Sequence, residues 1–549
     1  MREWAPTLLS SNGGLLRPLV PRLRSLEAGG DPWALLVSGF ARHDADFADA
    51  GAPALVERSL ELFRSSGDPR GEGFALYTLG NQKIGSGEVA AATSLWEAGR
   101  ALLGPESSAY AHALVNSSLG AYAAGDLRTA LALAEQGLAS SVAGGAFRAA
   151  GAAGVYIGAF SLWTGDFARV TSAIDLARAS FAQVVDPAER YEWPIGPAVC
   201  GVLASLRGDR GRAEACFTEA LVAADLVDAP WVRAMVLVLR AEHMSAWAAQ
   251  RSLADARRAR EILDAQQDQW WLGESRVATG VALAGSGNDS AAAHVLDAVL
   301  ADGVLIPLQQ ARCTLLLGEA RLRLGAPAVA WPLVLSARDA LLAAGADYWA
   351  ARACAVAAQL DSSARVRHWE RAHGLAHPDP AFERLFLGSV AFTVRMLGPP
   401  RVVVGDVEVS FPSRHARLAV LALAAAGPSG LAAETLHTWL WPEAARDVGA
   451  RRLKTSLWQV RRALGPVAGR LRRTGARVTL LMRPGECDLA DAVAAAEALL
   501  ASSSPSRGAV LDAAHRLADR IAGGEEHDEW IADLQHRVDA LRFRLAALG

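Results

Sequence analysis

The stretch Gly125–Leu138, with the sequence GDLRTALALAEQGL, combines a glycine–acid turn with the start of a helix. Glycine can adopt the left-handed conformation that ends one helix, and Asp126 can cap the free amides that begin the next. The apolar residues then recur at helical spacing along one side: Leu127, Ala130, Leu131, Ala134 and Leu138. This pattern predicts two helices joined by a tight turn.

Similar turns recur along the chain at intervals of 36 to 43 residues. A period of this length, with small residues after each turn, is typical of stacked helix hairpins, which bury their apolar faces only against one another. The segment therefore resembles tetratricopeptide-type repeats, although its period varies. The predicted turns lie at Gly51-Ala52-Pro53, Gly87-Glu88, Gly125-Asp126, Gly165-Asp166, Gly208-Asp209, Gln250-Arg251, Gly287-Asn288, Gly325-Ala326 and Ser362-Ser363.

A repeat array of this kind presents an extended concave surface that commonly holds a peptide, a protein or a small effector. Two roles are open for the tryptophans of the array, since they either line such a surface or pack between hairpins. Packing is the commoner role. The residues concerned are Trp96, Trp163, Trp231, Trp270, Trp271, Trp331 and Trp349.

The charge of the chain is unevenly distributed. The formal net charge is −3, an average that argues against nucleic-acid binding. Residues 390–484, here called the basic segment, hold 15 basic and five acidic residues, a net charge of +10. The remaining 454 residues hold 40 basic and 53 acidic residues, a net charge of −13. A strongly basic segment in an otherwise acidic chain indicates a unit that binds a polyanion.

The basic segment also changes from helical to mixed periodicity. Alternating residues predict a strand at 392–397 and a hairpin of 401–404 and 407–409 around Gly405-Asp406. Helices are predicted from the cap residue Ser413 to near Gly427, at 433–440 and at about 444–464. A second hairpin is predicted from 471–474 and 478–482. The order is sheet, three helices, hairpin.

Four phrases occur in order along this segment: Leu397-Gly398-Pro399, Phe411–Arg417 (FPSRHAR), Leu440-Trp441-Pro442 and Arg461–Gly465 (RRALG). With the element order, they resemble the winged helix of the Streptomyces antibiotic regulatory protein family, a branch of the OmpR/PhoB-type winged helices. The chain departs from that family at Ala432, where a capping Ser or Thr is usual, and at Arg451 and Arg452, where Asn is common.

Helices predicted at 488–501, 509–521 and from 528 onward are similar to the opening of the bacterial transcriptional activator domain that follows the winged helix in this family. The expected fold is mostly α: an α-solenoid of tetratricopeptide-like hairpins, then an α+β winged-helix domain and a short C-terminal helical segment. The expected domains are an N-terminal segment (1–30), the repeat array (31–388), the winged helix (390–484) and the truncated activator-like helices (487–549).

The third helix of the basic segment is the expected recognition helix. Leu453, Leu457, Val460 and Leu464 form one apolar stripe. Arginine favours guanine edges and glutamine adenine edges in the major groove, so the residues away from this stripe are candidates for DNA contact. Arg451, Thr455 and Arg462 lie opposite the stripe, and Arg452, Trp458 and Gln459 flank them.

Two further groups of arginines are candidate phosphate contacts. Arg472, Arg473 and Arg477 lie on the last hairpin, where a wing would meet the backbone or the minor groove. Arg414 and Arg417 open the first helix of the basic segment. The alternative for all five is an ordinary solvated charge.

Several function classes find no support. A Walker-type nucleotide site is excluded because neither lysine of the chain, Lys83 or Lys454, follows a glycine. No G-x-S-x-G motif occurs, and His368, His373 and His377 lack the spacing of a metal site. We therefore expect no enzyme activity, catalytic residue, cofactor or metal.

The expected location is the bacterial cytoplasm, in association with the nucleoid. The five scattered cysteines fit a reducing compartment, and the N-terminus has no signal-peptide pattern. The uncharged stretch Ala149–Gly165 falls short of the ~20 apolar residues that span a membrane and predicts a buried helix hairpin.

These features predict a sequence-specific DNA-binding transcriptional regulator whose repeat array senses a protein or effector. The expected partners are double-stranded DNA and, through the repeats, RNA polymerase or another protein; the resemblance also implies dimeric or tandem binding. The alternative is a repeat-based protein-interaction scaffold in which the winged helix binds protein rather than DNA.

Overall fold

A computed structural model of the chain describes residues 3, 9, 16, 20–45, 49–85, 87–105, 108–227, 229–361, 363–387, 390–502, 505–525 and 528–548. The fold is mostly helical and divides into two compact units. The repeat unit comprises Met1–Ala353 with Asp379–Ala381, and the C-terminal unit comprises Cys354–Pro378 with Phe382–Gly549. Within the described ranges, every helix is too short or too polar to cross a membrane.

The repeat unit is built from antiparallel helices joined by short turns, as the sequence predicts. The helices are α1 (Val20–Ala28), α2 (Pro32–Ala45), α3 (Gly51–Ser66), α4 (Pro69–Gly85), α5 (Val89–Leu102), α6 (Ser108–Ala123), α7 (Leu127–Ala143), α8 (Phe147–Thr164), α9 (Phe167–Ala182), α10 (Ile195–Arg207), α11 (Arg210–Leu226), α12 (Pro230–Gln266), α13 (Gln269–Gly285), α14 (Asp289–Asp302), α15 (Pro307–Arg323), α16 (Pro327–Ala343) and α17 (Asp347–Leu360), the last of which crosses the limit between the units.

Four of the predicted turns combine a left-handed glycine with a side chain that caps the next helix. At the α6–α7 turn, Gly125 has a φ of 85°, and the Asp126 carboxylate accepts a hydrogen bond of 3.0 Å from the amide of Thr129. Asp166, Asp209 and Asn288 cap α9, α11 and α14 in the same way. These side chains satisfy amides that have no partner within their helix.

The predicted turn near Gln250-Arg251 is replaced by a kink inside α12. Ala248 has non-helical dihedral angles (φ −137°, ψ 42°), and the segment has no glycine that would end the helix. Arg240 nevertheless donates to both carboxylate oxygens of Asp255, at 2.8 and 2.7 Å. In a straight helix these two residues would lie about 22 Å apart, so the two halves of α12 fold back on each other as a hairpin.

The uncharged stretch Ala149–Gly165 forms most of α8 and its C-terminal turn, a single buried helix rather than a complete hairpin. Small residues let neighbouring helices approach closely here. A Cβ atom on Gly154 would lie 2.8 Å from the carbonyl oxygen of Ala173 in α9. The absence of charge in this stretch fits its position inside the repeat stack, where a charged side chain would lose its hydration.

The C-terminal unit contains the predicted sheet, three helices and hairpin. Its elements after α17 are α18 (Arg365–Leu375), α19 (Pro380–Leu387), β1 (Phe392–Arg395), β2 (Arg401–Val404), β3 (Val407–Glu408), α20 (Arg414–Ala426), β4 (Leu431–Ala432), α21 (Ala433–Leu440), α22 (Arg446–Leu464), β5 (Leu471–Thr474), β6 (Arg477–Leu480), α23 (Asp488–Ala501), α24 (Arg507–Arg516) and α25 (Glu529–Ala546).

The strands form two antiparallel three-stranded sheets, β1-β2-β3 and β4-β6-β5. Strand β4, which the sequence pattern did not predict, pairs Leu431 with Val478 and Ala432 with Arg477. It anchors the final hairpin to the start of α21. As the sequence indicated, Ala432 provides no side-chain cap for that helix.

The C-terminal helices pack on the first sheet of the same unit. The Asp488 carboxylate at the start of α23 accepts a 2.7 Å hydrogen bond from the amide of Met396. After α24, the backbone returns alongside the end of β1, and the amide of Gly398 donates to the carbonyl oxygen of Arg520 at 2.7 Å. Helix α24 ends at Arg516, five residues earlier than predicted. Helices α23 to α25 are therefore continuous in packing with the first sheet of this unit.

The boundary between the two compact units differs from the predicted boundary between the repeat array and the basic segment. The four predicted domains remain predictions. The structure assigns α18 and most of α19 to the C-terminal unit, whereas the sequence placed them in the repeat array. Trp369 of α18 packs against Gly469, where an added Cβ atom would lie 2.6 Å from the indole ring. These helices extend the core of the C-terminal unit.

Candidate functional site

The predicted recognition helix α22 has one buried and one exposed face, as its sequence indicates. Its buried residues are Gly449, Leu453, Ser456, Leu457, Val460 and Leu464. The exposed side of the helix carries five of the predicted DNA contacts together with Lys454, which was not among the predicted contacts: Arg451, Arg452, Lys454, Thr455, Trp458 and Arg462. Lys454 was detectable as a basic residue next to the apolar stripe.

The side chains on the exposed face of α22 make only a few weak contacts with one another. The Arg451 guanidinium lies 3.0 Å from the Asp447 carboxylate, in an ion pair whose side chains are both largely exposed. The Arg462 guanidinium lies 4.9 Å from the ring centre of Trp458, which is 45% exposed. Exposed pairs of this kind contribute little to stability, so these cations stay available to a ligand.

Gln459 is directed inward rather than toward a ligand. Its side-chain oxygen accepts a 2.7 Å hydrogen bond from the hydroxyl of Ser413. The same Ser413 oxygen accepts a hydrogen bond from the amide of Ala416 and caps α20. Gln459 therefore joins α22 to the start of α20. It does not face outward, as a contact with an adenine edge would require.

Arg414 and Arg417 are held by acids of the C-terminal segment. The Arg414 guanidinium lies 2.7 Å from the Glu525 carboxylate and also pairs with Asp528. Arg417 pairs with Glu525, which is almost fully buried. The expectation that these arginines reach phosphate is at odds with this structure, because their charge is already balanced.

The three arginines of the last hairpin have different environments. Arg472 is largely buried between Glu383, at 3.7 Å, and the ring of Phe386, at 5.5 Å, and this burial lowers its pKa. Arg477 donates to the carbonyl oxygens of Ser429 and Gly430 at 2.7 and 3.2 Å. Arg473 is exposed, with a weak 3.4 Å bond to the carbonyl oxygen of Gly475. Arg473 best fits the predicted phosphate contact, whereas Arg472 has a packing role.

A second candidate site is a cavity of about 330 Å³ inside the repeat unit. Its wall is rich in aromatic rings, and six of the seven tryptophans considered in the sequence line it: Trp96, Trp163, Trp231, Trp270, Trp271 and Trp349. Tyr77, Tyr122, Tyr156 and Tyr191 join them. The array thus places on its inner side residues that are far apart in the sequence.

Ring contacts across the cavity show how the repeats curve. Tyr122 of α6 stacks with Trp270 of α13 at 6.5 Å between ring centres. Trp163 of α8 lies 6.0 Å from Trp349 of α17. The tryptophans therefore do both things that the sequence left open, since they pack between distant repeats and line the concave surface.

A buried charge cluster forms one wall of this cavity. The guanidinium of Arg312 lies 2.5 Å from the Glu242 carboxylate and also pairs with that of Glu274. Its central carbon lies 5.5 and 5.7 Å from the ring centres of Trp349 and Trp163. Burial raises the pKa of Glu274. For Glu242 burial also acts to raise the pKa, but the nearby positive charges and the hydrogen bond from Arg312 together outweigh it and lower the pKa.

Other charged groups lie along the same wall. Glu192 pairs with Arg148 at 3.1 Å, and Arg148 lies 4.2 Å from the ring centre of Tyr191. The carboxylate of Asp268 caps α13, and burial raises its pKa. Burial lowers the pKa of His243 to about 4, so this imidazole is neutral at pH 7. The cavity thus combines aromatic faces with buried carboxylates.

Comparisons with known proteins support the repeat fold alone. No protein-family model matches the chain, and no curated protein does. A Rap protein in complex with competence and sporulation factor is similar in structure, with 12% identity and a TM-score of 0.50 over 62% of this chain and 98% of that one.

Two further structures are less similar. Yeast Tom70 has 11% identity and a TM-score of 0.33 over 63% of this chain and 64% of that one. Naa15/Naa10 bound to HypK has 11% identity and a TM-score of 0.21 over 94% and 83%. The chain therefore has a tetratricopeptide-like helical repeat fold, which is typical of protein-interaction scaffolds.

Proposed function

We propose that the protein is a DNA-binding transcriptional regulator, in which the C-terminal unit binds duplex DNA and the repeat unit binds a protein or an effector. The observation that carries this proposal is the exposed face of α22. It presents Arg451, Arg452, Lys454 and Arg462, and after Asp447 the helix contains no acid. An ordinary solvated helix face mixes charges of both signs, whereas a helix that lies against DNA does not.

The surrounding fold supports this use of α22. Its apolar stripe is buried, which fixes the orientation of the opposite face. The β5–β6 hairpin carries the exposed Arg473 at the position of a wing. The sequence phrases that resemble the Streptomyces antibiotic regulatory protein family lie in this unit, and the element order is the one that the resemblance implies.

The proposed DNA contacts are a revised set of the sequence predictions. Arg451, Arg452, Lys454 and Arg462 supply cations, and Thr455 supplies a hydroxyl between them. Trp458 presents its ring beside Arg462, and we expect this ring to pack against the sugar–phosphate backbone. Arg473 contacts phosphate from the wing. The proposal includes no enzymatic step, cofactor or metal.

The test is a titration of the full chain with a pool of random duplex DNA at several salt concentrations, followed by selection of preferred sequences. Four to five phosphate contacts predict a slope of log affinity against log salt of about −4. Replacing both Arg451 and Arg462 by alanine should lower the affinity and flatten the slope by about 2. The control removes two exposed arginines of α25, with Arg537→Ala and Arg544→Ala, and should leave the slope unchanged.

A flat salt response of the native chain would contradict the proposal. An equal loss of affinity in both double variants would also contradict it, because the effect would then follow net charge rather than the α22 face. The preferred sequences from the selection identify the bases that α22 contacts.

A second candidate function is a protein-interaction scaffold whose C-terminal unit binds protein rather than DNA. The observation in its favour is the repeat fold itself. It predicts that purified bacterial RNA polymerase binds the chain in the absence of DNA, and that the α22 double variant weakens this complex. Co-elution on size exclusion, measured with and without duplex DNA, separates the two candidates and also reports whether the chain forms a dimer.

A further inference from the structure

The cavity of the repeat unit has a wall whose charges do not balance. Four carboxylates lie in or directly behind it, those of Glu192, Glu242, Asp268 and Glu274. Two guanidiniums, those of Arg148 and Arg312, face them. The neutral His243 adds no charge, and the nearby Arg352 is paired with Glu319 at 2.7 Å. Two carboxylates are therefore in excess.

Three of these carboxylates, those of Glu192, Glu242 and Glu274, keep an oxygen without a hydrogen-bond partner among the described residues. Glu192 and Glu274 are each 5% exposed and line the cavity, and one oxygen of each has no partner among the described residues. An unsatisfied buried carboxylate oxygen costs free energy unless a donor reaches it. The raised pKa of Glu274 has the same physical origin, since burial disfavours its charge.

The rest of the wall suits a positively charged ligand. Ring faces attract cations through their electron density, and aromatic cages recognise quaternary ammonium groups in this way. The cavity already holds cations against its rings, since the Arg312 guanidinium lies over Trp163 and Trp349, and that of Arg148 over Tyr191. Its volume of about 330 Å³ lies at the small-ligand end of binding sites.

We propose that this cavity binds a small organic cation, an ammonium or guanidinium group on an apolar body, with Glu274 as its principal counter-charge. Arg312 is shared between Glu242 and Glu274, so a bound cation would give each of these two carboxylates its own positive partner. The rings of Trp270 and Trp271 lie on the same lining and cover the apolar body. This inference names the chemistry of the effector in the function proposed above.

Two kinds of ligand carry such a cation, a free metabolite and the side chain of a peptide. The first experiment uses isothermal titration calorimetry on the full chain with choline and with 3,3-dimethylbutan-1-ol, its neutral isostere. A second pair of probes is a blocked tripeptide with one arginine and the same tripeptide with citrulline. We expect at least one cation to bind about tenfold more tightly than its neutral counterpart.

The variant Glu274→Gln removes one of the two excess carboxylate charges while it keeps the shape of the side chain. Arg312 stays paired with Glu242, so its buried guanidinium keeps a counter-charge and the unit should fold. We expect the preferred cation to bind about tenfold more weakly, with the neutral probe unaffected. The control Glu57→Gln, on the exposed side of α3, should change neither affinity.

Equal affinities within both probe pairs would overturn the proposal, and so would a failure of all four probes to bind. Both outcomes are measured on the native chain, so the conclusion does not depend on whether the variant folds. Stronger binding of the tripeptide than of choline would identify a peptide as the source of the cation. DNA affinity of the same preparation, measured without probe, separates failure of this inference from failure of the proposed function.

Discussion

The two units use arginine in opposite ways. In the repeat unit, Arg148 and Arg312 are buried, paired with carboxylates and stacked on rings. On α22, Arg452 and Arg462 are exposed on a face without acids beyond Asp447. A buried guanidinium fixes the positions of the groups around it, whereas an exposed one is free to meet a partner. The comparison shows that the environment of a charge, rather than its count, indicates its role.

The largest expected effect comes from removing a buried arginine. Arg312→Met leaves Glu242 and Glu274 buried without a cation, and breaking a buried pair in this way costs about 3–5 kcal/mol. Urea unfolding followed by tryptophan fluorescence should show the loss, since Trp163 and Trp349 lie beside the guanidinium. A change below 1 kcal/mol would mean that the cluster is not a structural element of the repeat unit.

An acid-sensitive effect of intermediate size is expected in the C-terminal unit. Burial, with the charges of Arg461 and Arg472, lowers the pKa of His373 to about 3, and the imidazole stacks on Phe386 at 4.2 Å. Unfolding restores a pKa near 6.5, so the unfolded chain binds the extra proton between these values. Stability should therefore be complete above about pH 6.5 and fall by about 2 kcal/mol by pH 5.

The variant His373→Phe removes this titration and preserves a ring against Phe386. Its unfolding free energy should depend less on pH between 5 and 7 than that of the native chain. Parallel pH profiles for the two proteins would show that His373 is protonated in the folded state or does not contribute.

A smaller effect is expected at the turns of the repeat unit. Asp126→Ala removes the cap on α7 and should lower stability by about 1 kcal/mol, because the amide of Thr129 loses its partner. Asp126→Asn retains an oxygen acceptor and should recover most of the loss. Thermal unfolding of the three proteins, followed by circular dichroism, measures the difference.

The smallest effect on stability is expected on α22 itself. Replacing Arg451 and Arg462 together by alanine should change the unfolding free energy by no more than about 0.5 kcal/mol, since both side chains are exposed. The same variant carries the predicted loss of DNA affinity. A large destabilisation would place these arginines in the same class as Arg312 and would remove the contrast between the units.

Much of the fold was predictable because it depends on local patterns. The glycine–acid turns, the apolar periodicity and the sheet–helix–hairpin order each follow from residues close together in the chain. The repeat spacing predicted a turn near Gln250-Arg251, but its form, a kink at Ala248 inside one helix, was not predictable, because no glycine marks it and tertiary contacts such as Arg240 with Asp255 hold it. Strand β4 was missed since two residues are too few for an alternating pattern.

The predicted DNA contacts divide in the same way. Arg451, Arg452, Thr455, Trp458 and Arg462 were placed on one exposed face because helical periodicity alone fixes them. Arg414, Arg417, Arg472 and Gln459 depend on partners elsewhere in the chain, such as Glu525, Glu383 and Ser413. Periodicity carries no information about such distant partners.

The sequence by itself determined the hairpin repeats, the position of the basic segment and the face that α22 exposes. Only the tertiary structure decided that tryptophans from α5 to α17 surround one cavity, and that Arg312 lies between two carboxylates in its wall. The physical reason is curvature: each hairpin follows from its own residues, whereas the path of the stack accumulates from every helix contact. Side chains hundreds of residues apart become neighbours only when that path brings them together.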